Sequence, residues 1–127
     1  MKIGITVWKN RISPLFDSAR MLLIAEIESG TITGKHFEPF HLDLLSSKAI
    51  RIYNLGVRVV ICGAVSHFLA NMIEAYGIRI IPFIAGDVNK VIDAYLKGNL
   101  PGAKFQMPGC GIRRRRRFRS AGSLRKI

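Results

Sequence analysis

Val59-Val60-Ile61-Cys62 is an uninterrupted apolar, mostly β-branched run. Gly63 follows at once, then Ser66 and an amphipathic helix pattern. A run with no polar alternation suits a strand covered on both faces, the habit of parallel strands in α/β sheets. Such a strand, ending in a small-residue loop at a helix N-terminus, is where open α/β sheets receive ligands. The stretch confines the chain to a layered α/β fold and places a site at that edge.

The rest of the chain arranges itself around this strand. Lys2–Val7 alternates loosely and is rich in β-branched residues, which predicts a first strand. Trp8–Asp17 reads as a loop, broken by Asn10, Ser13-Pro14 and Asp17. Met21–Ile27 and Ile32–Phe40 read as two strands joined across Ser29-Gly30, an antiparallel hairpin. Glu26, Glu28, Lys35 and Glu38 mark its solvated side. Asp43–Leu55 follows as a helix whose Leu45, Ala49, Ile52 and Tyr53 share one face. After the strand Val57–Cys62, Ser66 is the expected N-cap of a second helix that buries Leu69, Met72, Ile73 and Tyr76. Gly77 stops it, Ile78–Phe83 forms a fifth strand, and Asp87 caps a third helix that Gly98 closes. The order is β-β-β-α-β-α-β-α, a mixed five-stranded sheet with helices on both faces and right-handed crossovers.

At 127 residues, 49% of them hydrophobic, the chain can bury a core, and its body is not disordered. No apolar run approaches the roughly 20 residues of a membrane span. The strand pattern begins at the N-terminus, so no signal peptide is expected. Two cysteines, Cys62 and Cys110, argue against a disulfide scaffold and for a reducing cytoplasm. The net charge of +12 is unevenly distributed: residues 113–127 hold eight bases and no acid, which leaves +4 for residues 1–112. Composition divides the chain into an α/β domain over 1–100 and a Pro/Gly loop with a disordered Arg-rich tail over 101–127.

Three stretches carry a family resemblance. They are Ile12-Ser13-Pro14-Leu15-Phe16-Asp17-Ser18-Ala19, then Leu55-Gly56-Val57 through Val60-Ile61-Cys62-Gly63, then Tyr76-Gly77-Ile78 with Ile81-Pro82 and Gly86. Their order and spacing resemble the dinitrogenase iron–molybdenum cofactor biosynthesis family, the small NifX/NifB-like domains. The resemblance covers about residues 1–98. It implies a ribonuclease-H-like α/β fold and a non-enzymatic accessory protein that binds or carries an iron–sulfur or molybdenum-containing metal–sulfur cluster. It also implies cluster donor or acceptor proteins as partners. Where relatives often have a glycine-rich turn after the fourth strand, this chain has the bulkier Gly63-Ala64-Val65-Ser66-His67.

Ser13, Gly63, Ser66, His67 and Gly86 are expected to form the rim of the cluster pocket. The two strand-to-helix corners, Gly63–Ser66 and Ala85–Asp87, are expected to offer free amides, and a helix N-terminus favours an anion by about 0.3–1 kcal/mol. Asp87 opposes an anion unless its side chain turns into its own cap. His67 is a candidate metal ligand, weighed against a plain surface histidine in a first helical turn. Cys110, in a Pro-Gly-Cys-Gly loop, is a candidate soft ligand. Cys62 reads first as a buried small hydrophobe, and His36 and His41 as structural or solvated. No CxxC or HExxH pattern is present.

Two other functions compete. A ribonuclease-H-like nuclease would need carboxylates converging on Mg²⁺, and Ile3–Val7 offers none. Nucleic acid could still bind the basic tail through phosphate charge, although Phe118 is its one aromatic. A regulatory scaffold with a vestigial pocket is the other alternative.

Overall fold

The computed structural model describes residues 1–40, 44–100 and 105–107. Its elements are β1 (Lys2–Trp8), β2 (Arg11–Ile12), a 3₁₀ turn (Phe16–Ser18), β3 (Met21–Glu28), β4 (Thr31–Pro39), α1 (Leu45–Asn54), β5 (Val57–Ile61), α2 (His67–Ala75), β6 (Arg79–Ile81) and α3 (Val88–Leu96). Cys110, the Arg-rich tail, His41 and Asp43 lie outside the described residues. Among the described residues, no helix is long and apolar enough to cross a membrane.

One open sheet of six strands organises the chain, in the order β4-β3-β1-β5-β6, with β2 paired to β1. β3 runs antiparallel to both β1 and β4, whereas β5 runs parallel to both β1 and β6. The C-terminal ends of β1, β5 and β6 therefore open on the same edge.

Five strands were expected, and the sixth corrects that count. It lies in the stretch that reads as a loop. Lys9 and Asn10 both take positive φ, 51° and 64°, as a two-residue type I′ turn requires. The turn pairs Val7 with Ile12 and Trp8 with Arg11. The β3–β4 hairpin uses the same device at Ser29 and Gly30, as its sequence predicts.

Both faces of the sheet are covered. On one, Ile3, Ile5, Leu23 and Ile61 pack beneath Val88, Val91 and Ile92 of α3. On the other, Leu22, Ile24 and Val60 pack beneath Ala49 and Ile52 of α1 and Leu69 and Ile73 of α2. This is why β5 is almost wholly apolar: its neighbouring side chains serve opposite cores. Both helix caps form as expected. Ser66 Oγ accepts from Leu69 N at 3.2 Å, and Asp87 Oδ1 accepts from Asn89 N and Lys90 N at 2.9 and 3.2 Å.

Two buried-face assignments need correction. Helical spacing puts Tyr53 on the apolar face of α1 and Tyr76 on the buried face of α2. They are 53% and 41% exposed and stack on each other, ring centroids 5.0 Å apart. The core position in α1 goes instead to Lys48, three residues past Leu45 and four before Ile52.

Thr6 sits fully buried in β1, and its hydroxyl has no hydrogen-bond partner. Thr6→Val should remove a desolvated, unpaired group and keep the β-branched shape. The expected result is an unchanged or raised urea midpoint, a gain of up to about 1 kcal/mol. A loss of more than about 1 kcal/mol would show that the hydroxyl is satisfied in solution.

Candidate functional site

The segment from Asn10 to Arg20 shapes the edge where β1, β5 and β6 end. It closes the corner after β5 first. Ala64 N donates to Pro14 O at 2.9 Å, and Phe16 N donates to Ala64 O at 2.8 Å. Ser66 N donates to Asp17 Oδ1 at 2.9 Å. Gly63 lies so close to this segment that a Cβ there would overlap Ser13 O and sit 2.6 Å from Pro14 O.

The second corner is closed in the same way. Ile12 N donates to Gly86 O, and Val88 N to Asn10 O, both at 3.0 Å. Ala85 N donates to Phe105 O at 2.7 Å. Gly86 takes φ +133°, and a Cβ there would meet the Phe105 ring at 3.3 Å. The corners are neighbours, since Phe83 N donates to Gly63 O and Ile84 N to Cys62 O, each at 2.9 Å. They do adjoin, but the amides of Ala64, Ser66 and Ala85 are spent on the chain itself. The expected cradle of free amides is therefore not open at those three positions, where Pro14, Asp17 and Phe105 take the hydrogen bonds.

The same segment also lines a groove. The groove, of about 1060 Å³, runs beside the end of β1. Its walls come from Val7–Asn10, Ser13–Leu15, Ser18–Met21, Leu23, Lys35–Phe37 and the first turn of α3, Val88 and Asn89. Three cationic residues line it, Lys9, Arg20 and Lys35, and among the described residues no acidic residue does. Trp8 stands at its mouth, 58% exposed, with Lys9 Nζ 4.8 Å from the ring centroid. The positive φ of Lys9 places an ordinary side chain in the left-handed region, strain of the kind that gathers at functional sites. Asp87 is turned into its own cap, so its carboxylate faces the first-turn amides of α3.

Of the predicted rim residues, Ser13 alone lines the groove. It is buried, and its hydroxyl donates to Leu15 O at 3.4 Å. Gly63, Ser66 and Gly86 build the two corners. His67 opens α2, exposed, and does not line it. Cys62 is fully buried, and burial, helped by Asp17, holds its thiol far above the ordinary range, in keeping with a small buried hydrophobe. Among the described residues, no three His, Cys, Asp or Glu side chains converge as a metal site.

Sequence reasoning missed Lys48. Its ammonium donates to the carbonyls of Phe16 at 3.1 Å, Asp17 at 2.6 Å and Ala19 at 2.9 Å. It also lies 5.2 Å from the Phe40 ring centroid. Burial pulls its pKa below the ordinary lysine value, and the Asp17 carboxylate opposes that shift. The available signal was its place in the i, i+3, i+7 row of Leu45 and Ile52.

The fold recurs in solved structures. A Methanocaldococcus jannaschii protein provisionally named a dinitrogenase superposes with a TM-score of 0.64 at 23% identity, covering 77% of this chain and 89% of its own. A Thermotoga protein provisionally named NifB gives 0.62 at 20%, covering 76% and 88%. The apo form of the orange protein from Desulfovibrio gigas gives 0.63 at 19%, covering 83% and 94%. Among curated proteins, none matches the chain. The model of one family, described as dinitrogenase iron-molybdenum cofactor, matches residues 1–98. With most of its length matched, the chain belongs to the dinitrogenase iron–molybdenum cofactor family.

Proposed function

We propose that this protein binds an anionic metal–sulfur cluster, iron–sulfur or molybdenum-containing, and passes it on during iron–molybdenum cofactor assembly without catalysing a reaction. Family membership supports the pathway. The observation that carries the binding is the groove, with Lys9, Arg20 and Lys35 around an apolar floor and no carboxylate among its described lining. Ammonium and guanidinium groups give charge-assisted hydrogen bonds to an anion. They do not bond to the metal. A cluster held this way arrives with its own coordination complete and leaves without a ligand exchange, which suits a carrier. The partners are the proteins that load and unload the cluster. The strand order, with β3 antiparallel beside a parallel β1-β5-β6 set, supports the ribonuclease-H-like reading of the fold.

The test is anaerobic incubation of the full chain with iron–sulfur and molybdenum–sulfur species, then desalting. The expected result is co-eluting metal in stoichiometric amount, a sulfide-to-metal charge-transfer band and quenching of the single tryptophan, Trp8. Absence of retained metal across all species tested would overturn the proposal.

A further inference from the structure

Lys48 is one of three buried polar residues among the described ones, and the one that carries a full charge. An ammonium has three donors, and here each carbonyl of the set Phe16, Asp17 and Ala19 takes one. Burying a lysine on a helix face costs free energy unless every proton finds a partner. A leucine or methionine would fit that face of α1 without such demands. The residue type is therefore explained by the turn it touches rather than by the helix that bears it.

That turn joins both halves of the site. On one side it leads back to Ser13–Leu15, which seal the Gly63 corner. Its Asp17 carboxylate accepts from Ser66 N, so the residue whose carbonyl meets Lys48 also ties down the start of α2. On the other side it leads into Ser18, Ala19 and Arg20, all groove-lining. Arg20 O is held by Phe40 N at 2.8 Å, and the Phe40 ring lies over the Lys48 ammonium. Within the turn itself, Ala19 N donates to Phe16 O at 3.0 Å.

We infer that Lys48 is a positioning residue for the groove: its ammonium clamps the carbonyls of the 16–19 turn and so fixes where Ser18 and Arg20 stand. The role in cargo binding rests on the groove being the cargo site. The clamp itself does not, and it is tested separately.

The experiment compares wild type, Lys48→Met, Lys48→Gln and Lys48→Arg by amide hydrogen exchange and by affinity for tetrathiomolybdate, read on Trp8 fluorescence. Lys48→Gln keeps a neutral donor and stands in if Lys48→Met does not fold. The exchange arm compares Ala19 and Ser66 with sheet-centre amides such as Ile5. Exchange at Ala19 and Ser66 should quicken by tenfold or more in the Met or Gln variant, with Ile5 unchanged, and Lys48→Arg should restore part of the protection. Affinity should fall about tenfold, the size of one lost charge-assisted contact. Equal slowing or quickening at all three amides would overturn the clamp and leave a plain stability role. A loosened turn with unchanged affinity would overturn the positioning role. If wild type itself fails to bind tetrathiomolybdate, the cargo role of Lys48 falls with the proposed function, and the exchange arm still decides the clamp.

Discussion

Gly63→Ala is expected to destabilise the protein by about 3 kcal/mol or more and to loosen the corner after β5. The added Cβ would overlap Ser13 O and come within 2.6 Å of Pro14 O and 2.9 Å of Pro14 C. These are backbone atoms, so no rotamer change relieves them. Nor can the segment drift away. Ser13 N is held by Thr6 O at 2.9 Å, Ala64 N holds Pro14 O, and Phe16 N is held by Ala64 O. Gly34→Ala is the matched control. Nothing lies within 4 Å of a Cβ there, and its cost should stay within about 0.5 kcal/mol. Urea midpoints of the two variants decide the matter. Equal midpoints would mean that Ser13–Pro14 does not pack on the corner.

The second large effect is on binding. Arg20→Glu with Lys35→Glu should reduce affinity for an anionic cluster about a hundredfold, roughly tenfold for each reversed charge. Both residues are exposed on the groove walls, so the fold should be disturbed by no more than about 0.5 kcal/mol. Binding by wild type should also weaken with added salt, because exposed charges are screened over about 8–10 Å at ordinary ionic strength. Metal retention after desalting and the Trp8 titration both report the change. An undiminished affinity in the double variant would place the cargo elsewhere.

The fold was largely legible because local chemistry and the global pattern agree. Gly30 supplies positive φ to its hairpin turn as the residue type that adopts it most readily, and Ser29 before it is a common turn residue. Ser66 and Asp87 sit directly before their helices and cap them as short polar side chains do. β2 was hidden because its turn is Lys9-Asn10, a pair without glycine. Tyr53 and Tyr76 were misplaced because helical spacing marks a face and cannot tell a core from a stacked pair on the surface. Lys48 was hidden because a lysine is normally counted as solvated, and its three partners lie about thirty residues away in sequence.

The site was less legible than the fold. The two corners are legible in the sequence, but not that Pro14, Asp17 and Phe105 take the amides of Ala64, Ser66 and Ala85. The groove brings together Trp8–Asn10, Ser13–Leu15, Ser18–Met21, Lys35–Phe37 and Val88–Asn89, segments far apart in sequence of which only those within Ile12–Ala19 share a motif. Lys35 reads as an ordinary hairpin charge until the β3–β4 pairing sets it beside Ala25, on the face that also carries Leu23 and Phe37. Cation convergence of this kind is a property of the sheet register, not of any short stretch.

The most direct measurement is a ¹⁵N–¹H chemical-shift titration of the full chain with tetrathiomolybdate. Binding in the groove predicts shifts concentrated at Trp8–Asn10, Ser18–Met21 and Lys35–Phe37. Shifts centred instead on Gly63–His67, or none at any site, would contradict it.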